Sequence, residues 1–114
     1  MDRRSVIIAA MTVDEFRAIA LSFPETEESS HMNHPDFRVR GKIFATLSGD
    51  LTKGMASLTP ELQSDYIAMD PSFHPASGAW GQKGSTMITL ATANVDVVRS
   101  ALAAAWELRS RKGK

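Results

Sequence analysis

Cysteine is missing from this chain, and with it go disulfide staples, thiolate metal sites and thiol nucleophiles. Charge of one sign is missing too. Thirteen basic and thirteen acidic side chains leave a formal net charge of zero, so no bulk field steers the protein toward polyanions or anionic membranes. Any nucleic-acid contact therefore has to come from a local patch. No apolar stretch approaches the roughly twenty residues of a membrane-spanning helix. The run from Val6 to Met11 leads into Thr12-Val13-Asp14-Glu15 without a small-residue cleavage site, which argues against a leader. Catalytic signatures are equally scarce. No serine sits in a nucleophile-elbow glycine pattern. The glycines from Gly78 to Gly84 lack both the lysine-serine ending of a phosphate loop and the strand-before, helix-after context of a dinucleotide fingerprint. A non-enzyme without cofactor or metal is the expectation.

What is present is an ordinary globular composition, 43% hydrophobic and 23% charged over 114 residues, enough for one hydrophobic core. Thr12 with Glu15 forms a capping-box pattern, and Phe16, Ile19, Ala20 and Phe23 then make one helical stripe that Pro24 ends. Glu25 to His34 is acidic and turn-rich and reads as a loop. From Phe37 the period becomes two: Phe37 and Val39 alternate with Arg38 and Arg40, Gly41 marks a turn, and Lys42 to Leu47 continues as a second strand. Leu51 to Leu58 is a third strand in which Gly54 signals a bulge or a close backbone approach. Thr59-Pro60-Glu61 starts a second helix, and Asp70-Pro71 stops it. An aromatic, glycine-rich loop follows, then a strand over Thr86 to Leu90 and a last helix from about Asn94.

The order is thus α-β-β-β-α-β-α. Short turns between successive strands demand antiparallel pairing, so the expected fold is α+β, one antiparallel β-sheet with helices packed on one face and the other face free. Residues 1–10 read as an N-terminal extension, frayed or packed as an extra turn or edge strand. Residues 11–108 read as a single domain and 109–114 as a basic tail.

Several separated segments also resemble a known family. His34-Pro35-Asp36-Phe37-Arg38-Val39-Arg40-Gly41-Lys42-Ile43-Phe44-Ala45-Thr46-Leu47 is similar to the hallmark segment of the MmcQ/YjbR family of small bacterial proteins. Thr12 to Arg17, Leu21 to Glu28, Leu58 to Glu61 and Gly78-Ala79-Trp80-Gly81 match in the same order. The resemblance spans about residues 11–108. It implies a frataxin-like (CyaY-like) fold, described as a double-wing DNA-binding arrangement.

The best candidate site is the basic hairpin, where Arg38, Arg40, Lys42 and Lys53 stand against Asp50 alone between Phe37 and Leu58. A two-stranded ribbon of this kind can place guanidinium groups on phosphates. The blander reading is a solvated outer face whose cations keep sheet edges from pairing. Lys83 and the tail from Arg109 to Lys114 are auxiliary cations. The reading is of weak, phosphate-directed DNA binding by a cytoplasmic monomer or weak homodimer with no membrane partner. Trp80, among Gly78, Gly81 and Gly84, is either a stacking platform or a plug for the open end of the core. A rival function is a small-molecule or regulatory module with a pocket between Trp80 and the His34-Asp36-Arg38 segment. An interaction module using the free sheet face is a third. His31, His34, Asp36 and His74 match no closed zinc pattern. Glu25, Glu27 and Glu28 are far sparser than the acidic iron-binding surface of true frataxins and read as a solvated loop.

Overall fold

The computed structural model describes residues 11–111; the extension read over residues 1–10 and the end of the basic tail lie outside the described residues. Helix α1 (Val13–Leu21) starts on the capping box: Thr12 Oγ1 accepts the Glu15 N–H at 3.0 Å while the Glu15 carboxylate accepts the Thr12 N–H at 2.9 Å. Phe16, Ile19 and Ala20 form its buried face. Phe23 lies past the helix end and is half-buried, stacked on Trp106 at a 6.1 Å ring separation.

Six strands follow, β1 (Thr26–His31), β2 (His34–Val39), β3 (Lys42–Leu47), β4 (Lys53–Ser57), β5 (Phe73–Pro75) and β6 (Ser85–Thr89), interleaved with helices α2 (Pro60–Met69), α3 (Gly78–Gln82) and α4 (Val95–Ser110). They build one antiparallel sheet in the order β1-β2-β3-β4-β6-β5. The expected α+β architecture and its element order are found, with β1 and the short β5 and α3 in addition. Arg109, assigned to the tail, belongs to the last turn of α4.

The segment from Glu25 to His34, expected as a loop, is mostly strand β1. Its burial pattern explains why it gave no strand signal: every residue after Thr26 is exposed, so no apolar position alternates with the polar ones. Pairing with β2 forms it, closed by a two-residue turn in which Met32 and Asn33 both have positive φ, 51° and 67°. The next hairpin repeats the device with Arg40 and Gly41 at 55° and 78°. Positive φ at both central residues is the signature of the turn whose twist matches a β-hairpin.

Register sorts the side chains between the two faces. Leu47, Gly54, Ile88 and Phe73 form one cross-strand row under the helices, and Ala45, Ala56 and Thr86 form a second. All seven are buried. Gly54 is small because α1 lies on it: a Cβ there would strike the Phe16 ring. Close approach, rather than a bulge, is what this glycine serves. A bulge does occur nearby, between Phe37 and Arg38, where Ala45 faces Phe37 but Ile43 faces Arg38, leaving Phe44 unopposed. It lets Phe44 and Ala45 both enter the core, where each is fully buried. Phe16, Phe37, Phe44 and Phe73 dominate that core, each worth roughly 1.5–3 kcal/mol on burial.

Candidate functional site

The rows that face away from the helices build the site. Thr46, Met55, Met87 and His74 are successive cross-strand partners across β3, β4, β6 and β5. They lie on the floor of a groove of about 930 Å³. Ser57 and Ser85, also cross-strand partners, lie one step along, and Lys53 lies one step the other way. His31 and His34 close the β1–β2 end, their rings 6.1 Å apart. Trp80, Lys83 and Ser77 stand at the α3 end. Arg109 donates to the Ile43 carbonyl at 3.2 Å and lines the same groove.

The lining thus carries Lys53, Lys83, Arg109 and three imidazoles, and no carboxylate among the described residues. Of the acids, Asp14, Glu15, Glu61, Asp65, Asp96 and Glu107 belong to helices and none of them lines the groove. The groove is therefore locally positive although the net charge of the chain is zero.

Of the candidate cations, Lys53 and Lys83 meet in the groove, whereas Arg38, Arg40 and Lys42 do not. Arg38 folds back on Asp36, donating to its two carboxylate oxygens at 2.8 and 3.0 Å. Its hydrogen bonds to Asp36, with Glu27 opposite it on β1, raise its pKa, so this charge is neutralised locally. Arg40 occupies the hairpin turn and Lys42 pairs with inward-facing Val39, so Lys42 and Arg38 stand on opposite faces. The hairpin named as the best candidate site therefore does not gather its cations on one water-facing side. The cause is Asp36: in an alternating strand it shares a face with Arg38, and a two-residue spacing brings their side chains together.

His34 and Trp80 do share the groove, while Asp36 lies beneath its end with no exposed side-chain surface. Asp36 also takes His31 Nδ1 at 2.7 Å. The hydrogen bond from Arg38 is the main reason its carboxyl is held below the ordinary range, against the opposing effect of burial. His31, His34 and His74 are spread along the groove, and among the described residues no group of three such side chains converges to hold a metal.

Trp80 is 72% exposed, so it is not a plug. Two features fix it in that position. Gly81, buried on the other side of α3, packs so tightly that a Cβ would strike the Ala76 carbonyl. Gln63 Nε2 donates to the carbonyls of Gly81 and Ser85, each at 3.0 Å. The indole is therefore turned outward by the inward packing of its neighbour. Met55, Met87 and Gln63 were not singled out from sequence. The alternation Lys53-Gly54-Met55-Ala56-Ser57, with the smallest residues inward, was the available signal for the first.

Comparison with known proteins agrees with this architecture. The structure is similar to that of Deinococcus radiodurans protein DR2400, described as carrying the DUF419 family domain, with a TM-score of 0.76 and 20% identity over 92% of this chain and 83% of that one. It is also similar to a protein from Pseudomonas syringae, with a TM-score of 0.63 and 14% identity over 96% and 99% of the two chains. At these identities the likeness concerns the fold alone. No curated protein matches the chain. The YjbR family model, however, matches residues 21–108, well over half of the sequence and including β1 to α4, and the chain therefore belongs to the YjbR family.

Proposed function

We propose that this is a DNA-binding protein that performs no chemistry on its ligand, and that its contact surface is the open sheet face rather than the hairpin ribbon. One observation carries the reading: the groove is lined by Lys53, Lys83 and Arg109 without a carboxylate among the described residues. Cations so placed meet phosphate oxygens with no competing anion beside them, and each neutralised phosphate releases condensed counterions. Three such contacts give weak binding in the range of non-specific complexes, and a slope of log affinity against log salt of roughly −2 to −3.

Fluorescence anisotropy of labelled DNA over a salt series tests this. Wild type should bind at low salt, and the triple variant Lys53→Ala, Lys83→Ala, Arg109→Ala should lose most of the affinity and of the salt slope. Arg40→Ala with Lys42→Ala should change little. Absence of binding at low salt ends the proposal.

A second reading, a small anionic ligand with a planar part, is favoured by the size of the groove, since about 930 Å³ lies within the roughly 300–1,000 Å³ usual for small-molecule sites. Saturable binding of such ligands with no DNA affinity would select it.

A further inference from the structure

We infer that the groove takes DNA as a single strand, with an unpaired base stacked on Trp80. The inference rests on the DNA-binding reading above and deepens it. A duplex offers a protein its phosphates and the edges of its bases, but the faces of the bases are already stacked on one another. Only an unpaired base can present a π-face to an indole.

The groove is built for a face. Trp80 is 72% exposed on an anchored helix, since α3 is held by the contact of Gly81 with Ala76 and by the two hydrogen bonds from Gln63. The backbone that carries the indole is thus already in place, so only the rotation of the side chain has to be ordered when a base arrives, which favours stacking affinity. Beside it, Met55 and Met87 lie side by side across β4 and β6, half-buried. Their polarisable thioethers tolerate any ring that lies against them. Charge completes the match: Lys83 follows Trp80 by three residues, while Lys53 and Arg109 also line the groove. A strand can thus lay its backbone along cations while a base turns onto the indole. Every base has such a face, so sequence preference should be slight.

The test compares a twelve-nucleotide oligodeoxythymidine with a hairpin duplex of equal phosphate count at one low salt concentration. Wild type should prefer the single strand. Trp80→Ala should weaken it roughly 5- to 150-fold, the effect of losing about 1–3 kcal/mol of base stacking, and weaken duplex binding far less. Trp80→Phe should keep most of the affinity. Tryptophan emission should be quenched by the oligonucleotide in wild type and not in Trp80→Phe, where Trp106 alone reports. A duplex bound as tightly as the single strand, or an unchanged single-strand affinity in Trp80→Ala, overturns the inference while leaving DNA binding intact. Thymidine monophosphate competing as strongly as the oligonucleotide assigns the groove to a free nucleotide and also overturns it. Binding of neither DNA form removes the parent proposal as well. Because Trp80 is exposed, Trp80→Ala should unfold at the wild-type temperature, and its retained duplex binding is a second check on folding.

Discussion

At the scale of single residues, two close contacts determine where larger parts go. Gly54 admits the Phe16 ring to the sheet, so Gly54→Val should force α1 outward. Overpacking of this kind costs roughly 1–3 kcal/mol, read as a lower urea midpoint at unchanged slope. Asp50 determines the turn between β3 and β4: it accepts from Ser48 Oγ at 2.7 Å, Thr52 Oγ1 at 2.8 Å and the Thr52 N–H at 3.1 Å. The Ser48 bond leads in lowering its pKa from 3.8 to about 2. Because the folded pKa is depressed, the stabilisation is full above 3.8 and is lost as pH falls through about 2. Carboxyl chemical shifts followed by acid titration should show Asp50 ionised until about pH 2, and Asp50→Asn should remove this part of the acid sensitivity. Asp36 acts in the same direction, held low chiefly by Arg38.

At the scale of elements, the two hairpins and α3 carry the arguments. Met32 sits at a φ of 51° with its side chain 84% exposed, so it takes the left-handed conformation without gaining burial. Met32→Gly should relieve that penalty, which is about 1 kcal/mol or somewhat more for a residue with a Cβ, and raise the melting temperature. A lower one would mean that Met32 makes contacts this geometry does not contain. In α3, Gly81→Ala places a methyl group against the Ala76 carbonyl. The helix must shift, so Trp80 emission should change and single-strand affinity fall, although no groove-lining residue has been altered.

These elements also show how far the sequence could be read. α1, α2, β3 and α4 were legible because caps and apolar periodicity lie within each segment. β1 was not, since Thr26 to His31 places no apolar side chain in the core and exists as a strand through its partner. The groove was half legible: Lys53, Lys83, His34 and Trp80 could be named as chemistry-bearing residues. Their meeting depends on a sheet order that sets β6 between β4 and β5, which no local pattern encodes.

For the whole molecule, the place where cations gather matters more than the net charge. Salt at physiological strength screens exposed charges beyond about 8 Å, so the groove's own cations should govern DNA affinity. Asp65→Lys with Asp96→Lys, on α2 and α4, raises the net charge from zero to +4, two substitutions of two charges each. It should alter DNA affinity less than about threefold near 150 mM salt. Lys53→Glu with Lys83→Glu lowers the net charge by the same four units and should abolish binding. Equal and opposite effects of the two variants in anisotropy would show that net charge, not the groove, controls association.

The amino-acid order alone determined the starts of α1, α2 and α4, the turn at Gly41 and the antiparallel α+β class, because capping, turn conformation and apolar alternation act between residues a few positions apart. Tertiary structure decided which cations are free and which are paired, that Trp80 faces water, and that side chains from all six strands and a short helix assemble one acid-free groove. Those outcomes depend on register and on contacts between distant segments: Asp36 neutralises Arg38 only because a strand sets both on one face, and Trp80 is exposed only because Gly81 is packed from behind.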